Sequence, residues 1–198
     1  MKSSILKVVL AIVIIVLGYL IYNSINTPLK FEQELKSRGD VVIAKLKDIR
    51  TAQTLFKALH MRYTQSFDTL IRFVREGQIP EVKMVPDPKD TTNTRTITDT
   101  IGYVSIFDSI FAKKDYKLEE LSLIPFAEGD TFSLMAGTIN KGGVDVSVFE
   151  VTAPMETYTA GMNNQLVINR VQELKDKNKF PGLKVGSMFE ASTDGNWE

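Results

Sequence analysis

The chain has no cysteine, one histidine and no acidic residue before Glu32. Without cysteine there is no disulfide framework, zinc knuckle, iron–sulfur cluster or thiol nucleophile. The lone His60 excludes the paired histidines of an H-E-x-x-H metal site. An excess of one charge is missing too, since 24 Lys and Arg balance 24 Asp and Glu over 198 residues. That balance argues against a protein whose main task is to neutralise nucleic-acid phosphates, and no nucleic-acid partner is expected. The length allows one domain or two small ones, and 43% apolar residues is ordinary for a chain with a core.

What is present is concentrated at the N-terminus. Between Lys7 and Asn23 lie 15 residues without a charge, among them Val8, Leu10, Ile14, Leu17, Tyr19 and Tyr22, and Ile5 and Leu6 extend the run to 18 if Lys7 snorkels. Eighteen helical residues span roughly 27 Å, close to the ~30 Å of a bilayer core. Tyr19 and Tyr22 sit where an aromatic belt falls. A cleaved signal peptide needs small residues at −3 and −1, and neither Gly18-Tyr19-Leu20 nor Tyr22-Asn23-Ser24 supplies them. A soluble core helix would be apolar on one stripe, not all round. The expectation is an uncleaved anchor over residues 1–27, with residues 5–22 in lipid.

Orientation is read from Lys7 at the membrane edge and the secretory form of the start. Positive residues alone tie, because Lys30, Lys36 and Arg38 come after the span. The expected placement is an inner-membrane, single-pass protein with its N-terminus cytoplasmic and its C-terminal domain periplasmic. With Lys2 and Lys7 assigned to the anchor, 22 basic and 24 acidic residues remain, so the exported part carries −2.

After the span, Asn23-Ser24-Ile25-Asn26-Thr27-Pro28 reads as a polar break, with Thr27 as N-cap and Pro28 opening a new helix. Leu35, Val42, Leu46, Ile49, Gln53 and Phe56 follow spacings of 7, 4, 3, 4 and 3, a helical stripe running to about His60. Lys36, Lys45, Lys47, Asp48 and Arg50 are assigned to the opposite face. Residues 42–60 are expected to lie on the chain's own sheet. Residues 28–40, poorer in apolar residues, read as a stalk or partner contact through Phe31 and Leu35, and Gly39 as a hinge. Residues 41–198 form an extracytoplasmic α+β domain.

Within it, Ser66 caps a short helix through Phe67, Leu70, Ile71 and Val74 that stops at Gly77. The Pro, Asp, Thr and Asn rich stretch 86–98 reads as a loop, 96–104 as a strand and 104–111 as a helical turn. Phe132, Leu134 and Ala136 share one strand face, and Val144, Val146 and Val148 another, with Asn140-Lys141-Gly142-Gly143 as the hairpin turn. A helix is expected in the second half of 155–177, and a last strand over 183–188. Trp197 reads either as a terminal anchor on the sheet or as a docking residue for a partner.

No catalytic constellation stands out. The Gly137 to Gly143 stretch lacks the Gly-Lys-Ser/Thr order of a phosphate loop, and Asp87, Asp90 and Asp99 lack calcium-loop spacing. His60 lies at a helix end, Glu119-Glu120 is assigned to solvent, and Arg38-Gly39-Asp40 falls inside a helical pattern. No cofactor, metal or small-molecule substrate is expected.

The apolar run 8–22, Pro28, the run Leu46-Lys47-Asp48-Ile49-Arg50-Thr51-Ala52-Gln53 and the landmarks Tyr63, Leu70, Gly77 and Pro80 resemble the type IV pilin-like family, including type II secretion pseudopilins. The resemblance covers about the first 80 residues. It implies an N-terminal membrane helix continuing into an amphipathic helix packed on a mainly antiparallel sheet. The family's processing site and its acid at the fifth mature position have no counterpart here. The chain also resembles single-span envelope proteins of Bacteroidota, through L-x-x-I-R-T-A-Q and its G-L-x-V-G-S ending. The expected function is a non-enzymatic structural or accessory subunit of a cell-envelope assembly in secretion, motility or outer-membrane machinery, with protein partners. The alternatives are a tethered periplasmic ligand-binding or chaperone-like module, and an enzyme using two carboxylates about 5–9 Å apart.

Overall fold

The structure, a computed structural model, describes residues 2–86 and 96–198. A single helix, α1 (Lys2–His60), takes up 59 of them, about 88 Å at the ordinary helical rise. The expected break at residues 23–28 is absent. Pro28 lies inside α1, where it removes the bond to the Ser24 carbonyl and crowds the preceding turn. Long helical flanks on both sides carry the helix through, because propagation is far easier than renucleation. No break occurs at Gly39 either. Met61, with φ 60°, ends α1, its N–H donating to the Lys57 carbonyl.

Beyond α1 the chain forms two small antiparallel sheets. Strands β1 (Gln78–Pro86) and β2 (Thr96–Ser105) pair as a ribbon with a register shift at Glu81/Val82. Pro86, expected in a loop, is therefore strand, and Thr96–Thr98, where the loop and strand readings overlap, belong to β2; Asp87 and Asp90 lie outside the described residues. Strands β3 (Ser133–Lys141), β4 (Val144–Pro154) and β5 (Gly182–Gly186) form the second sheet in the order β3-β4-β5. Gly142 and Gly143 both have positive φ, the backbone of a type I′ hairpin. Gly186 (φ 76°) ends β5 so close to β4 that a Cβ there would lie 2.2 Å from the Phe149 carbonyl oxygen.

The helices have local causes. Ser66 accepts from the Thr69 N–H to cap α2 (Phe67–Glu76), and Ser105 does the same for α3 (Ile106–Ile110) through Asp108. Leu118–Ser122 forms a 3₁₀ helix. Helix α4 (Met155–Tyr158) leads to α5 (Asn164–Asp176), capped by Asn163.

One core joins these elements. Leu35, Val42, Leu46, Ile49, Gln53 and Phe56 are all buried, as their spacing predicts, together with Phe149, Val151 and Ala153 of β4 and Val185 of β5. The β3 face is as expected, since Leu134 and Ala136 pack against this core and pair with Val151 and Phe149. The face of β4 that meets the core is the one opposite Val144, Val146 and Val148. Val144 is exposed and Val148 buried, but the odd-numbered residues 149, 151 and 153 face the core. The alternation of valines is a weak guide where both faces of a central strand are partly covered.

Gln53 ties the end of α1 to the segment that leads into α2. Fully buried, it donates through Nε2 to the Thr64 carbonyl (2.7 Å) and accepts the Thr64 N–H at Oε1 (3.1 Å). Gln53→Leu keeps the volume and leaves two backbone groups unpaired, so it is expected to cost about 2–4 kcal/mol, a Tm fall of roughly 10 °C in thermal unfolding; an unchanged Tm would show that Thr64 finds other partners.

Candidate functional site

From Leu6 to Ile25 every side chain of α1 is exposed. Val8, Leu10, Ile14, Leu17, Tyr19 and Tyr22 each show more than half of their surface, and they point in all directions around the helix. Soluble monomers rarely expose contiguous apolar patches beyond a few hundred Å². This stretch is long and apolar enough to cross a membrane, and is compatible with a single-pass anchor. Lys7 stands exposed at its start. At its end, Thr27 Oγ1 donates to Asn23 Oδ1 (3.2 Å), and Pro28 leaves the Ser24 carbonyl without its helical donor.

Phe31 and Leu35, expected as partner contacts on a stalk, are buried in the chain's own core. The reason is the neighbour at that level. Arg38 donates to the Tyr158 carbonyl (3.2 Å) and the Ala160 carbonyl (2.8 Å), pairs with Glu34 and lies over the Phe126 ring, so the α4–α5 connection covers this part of α1. Arg38-Gly39-Asp40 is helical.

Trp197 also packs against the core. Its segment runs beside β5. Gly195 bridges Val185, Asn196 accepts the Lys184 N–H and donates to the Gly182 carbonyl, and Glu198 pairs with Arg50 of α1 (2.9 Å). The indole lies over Gly195, where an added Cβ would meet it at 2.3 Å. Its N–H has no partner among the described residues.

Two residues assigned to the solvent face of α1 are inside. Lys45 and Asp48 are buried, because the segment after α3 wraps over that side of the helix. Lys45 Nζ donates to the carbonyls of Glu120 and Leu123 and sits 4.9 Å from the Tyr116 ring centroid. Asp48 accepts from Lys114 Nζ at one oxygen and from the Tyr116 hydroxyl at the other, both at 2.7 Å. Sequence spacing missed this cluster, since long polar side chains read as solvated when their partners are 66–78 residues away. A cleft of about 700 Å³ opens beside it, lined by Asp40, Lys113, Asp115 and Pro125 among others. With both carboxylate oxygens and the ammonium engaged, the cluster is a clasp.

Elsewhere, a cleft of about 450 Å³ beside the β3–β4 hairpin has a mixed lining, with Phe56, Tyr63 and Ala136 beside Arg62, Gln65 and Ser147. His60 is exposed and stacks on Phe56 at 4.3 Å. Among the described residues no cluster of three or more His, Asp or Glu side chains is placed to hold a metal.

Burial shifts the clasp's titrations. The Tyr116 hydroxyl is pushed far above the ordinary phenol range, first by burial and then by its bond to Asp48 and that carboxylate's charge. Tyr158 is raised to about 12 by burial, against the charge of Arg170. A phenol raised in the fold contributes stability that is whole below its unfolded pKa of about 10 and is lost as pH rises through the folded value. Lys45, lowered by burial against the charge of Glu120, acts the other way, since its buried charge costs less as it deprotonates. Alkaline titration followed by phenolate absorbance should show late-ionising tyrosines, with Tyr116→Phe and Tyr158→Phe each removing one; two variants with unaltered curves would contradict the burial argument.

Comparison with protein-family models, with curated proteins and with solved structures finds no match to this chain.

Proposed function

We propose that this is a single-pass membrane protein whose α+β domain serves, without catalysis of its own, as a structural or accessory subunit of a cell-envelope assembly. The carrying observation is α1, exposed and apolar over its first half and the spine of the α+β domain's core over its second. A bilayer removes the first half's apolar surface from water, and the helix pairs its own backbone groups where lipid offers no hydrogen-bond partner. Lys7 at the edge and the secretory form of the start support a cytoplasmic N-terminus and a periplasmic domain in the inner membrane. The order of membrane helix, amphipathic continuation and antiparallel sheet supports a pilin-like reading. The Lys45–Asp48–Tyr116 cluster supports a non-catalytic reading, because its polar atoms are occupied by one another and by backbone.

Arginine at a helix centre costs about 2.5–3.5 kcal/mol on insertion scales. The double variant Ile14→Arg/Leu17→Arg should therefore release the chain from membranes that retain the wild type against alkaline carbonate, and wild type that extracts as soluble protein would sink the anchor. Crosslinking in native membranes should give a discrete larger species; a lone monomer under all crosslinking conditions would sink the assembly.

A further inference from the structure

The three-stranded sheet has one covered edge and one open edge. Along β5 the C-terminal segment is laid down as a partial strand. Gly195 bridges Val185, the Gly186 N–H donates to the Asp194 carbonyl (2.9 Å) and the Asn196 N–H to the Lys184 carbonyl (3.0 Å). The opposite edge is β3, which pairs with β4 alone. Lys141 and Val144 close the hairpin around Gly142-Gly143, and the closing pair of such a hairpin exchanges both of its hydrogen bonds. By alternation Ile139, Gly137 and Met135 also bond to β4, and the N–H and C=O groups of Leu134, Ala136, Thr138 and Asn140 point away from it. None of these outward groups has a backbone partner among the described residues. Open edges are ordinarily blunted by proline, charge or a bulge. From Ser133 to Asn140, β3 has no proline and no charged residue, and its register against β4 runs without a shift.

A cleft flanks this edge on each face of the sheet. On the α1 side, where Leu134 and Ala136 meet the core, the cleft of about 450 Å³ runs past Thr138 to Arg62, Tyr63 and Thr69. On the other side, Met188 Cε lies 3.1 Å from where a Cβ on Gly137 would stand. The segment after Met188 forms a second cleft, of about 570 Å³, between Ile139 and Phe189, and Phe189 is 87% exposed. The two clefts differ in chemistry. The first has Arg62 and no acid in its lining, and Lys57 Nζ stands 4.7 Å from the centroid of its Tyr63 ring. Arg62 has no carboxylate partner among the described residues. The second cleft offers the Phe189 ring and Ile139, with Lys141 and Glu190 of opposite sign beside them.

We infer that the β3 edge is a docking site for an extended segment of a partner protein. The segment adds as a fourth strand, with acidic or hydroxyl side chains in the Arg62 cleft and apolar ones in the Phe189 cleft. In this mode backbone bonding supplies affinity, and the pockets that take alternate side chains supply sequence preference. Charge complementarity selects the occupant. A second copy pairing β3 to β3 would bring no acid to Arg62, since the only charge in residues 133–141 is Lys141. The inference rests on the subunit reading above for its choice of a protein as ligand, and adds where and by what chemistry that protein is held. The site is far from the apolar run. Ser147 of the hairpin donates to the Met61 carbonyl, and about 50 Å of helix separates that end of α1 from Ile25.

The test uses the full chain in detergent micelles and a capped peptide, Thr-Val-Asp-Val-Thr-Val-Asp-Val, whose two faces match the two clefts. Residue-resolved hydrogen exchange is expected to slow at Leu134, Ala136, Thr138 and Asn140 when the peptide is added. The same peptide N-methylated at every residue keeps its side chains and loses its strand donors, and should not bind. Arg62→Glu changes an exposed side chain and should weaken binding about tenfold or more, while favouring the peptide with lysine in place of aspartate. Thr138→Pro removes an outward N–H without touching the β4 ladder, and should abolish the protection. Binding without slowed exchange at these four residues, binding indifferent to N-methylation, or no binding at any soluble concentration overturns strand addition. Thr138→Cys chains that join one another through that residue would assign the edge to a second copy and also overturn it. A crosslinked species in native membranes that persists in Arg62→Glu, beside a peptide that does not bind, overturns the edge site and leaves the subunit reading standing. Absence of any crosslinked species in the wild type overturns the subunit reading itself.

Discussion

Everything in this molecule hangs on one helix whose two halves have different surfaces. Over residues 6–25 α1 has no inward face, and apolar side chains cover its whole circumference. From Thr27 onward the same helix has a narrow stripe, ending at Phe56, that is the middle of the domain's core. Because α1 runs unbroken through Pro28 and Gly39, the direction of the apolar half and the direction of the core stripe are mechanically coupled. A flexible stalk would have released that coupling. Here a rotation of the span about its axis turns the domain with it.

The domain is assembled around α1 by polar clamps as much as by apolar contact. Gln53 replaces a missing backbone partner for Thr64, Lys45 gathers two carbonyls of the 3₁₀ segment, and Asp48 gathers Lys114 and Tyr116. Arg38 and Arg50 do the same at either side, reaching the α4–α5 connection and the segment around Trp197. Asp48 accepts from two side chains, and in the other cases a long side chain on α1 hydrogen-bonds backbone that no strand or helix ladder pairs there. The non-regular segments are thereby held in one arrangement, and their orientation relative to α1 is set. This supports the proposed role of a scaffold whose geometry, and not whose chemistry, is the product.

The local features were legible in the sequence. The apolar run, the 3,4 spacing from Leu35 to Phe56, the Ser66 cap with its Gly77 stop and the Gly142-Gly143 hairpin are set by neighbours a few residues apart, and the structure reproduces them. The β1 strand was not legible, since Pro80 and Pro86 argue against a strand except at an edge, which is where β1 lies. The core face of β4 was not legible, because a central strand has partners on both sides. Lys45 and Asp48 were misread because their type says surface while their partners, far along the chain, say interior.

By itself, then, the sequence determined that α1 begins apolar all round and continues with a stripe, since both are periodicities of one chain segment against the solvent it meets. Whether the polar residues 23–28 interrupt the helix, whether Phe31 and Leu35 face a partner or a core, and what covers Lys45 and Asp48 were decided only by the tertiary structure. Those outcomes depend on which distant segment packs beside α1, and no local pattern encodes the position of a surface folded from elsewhere in the chain.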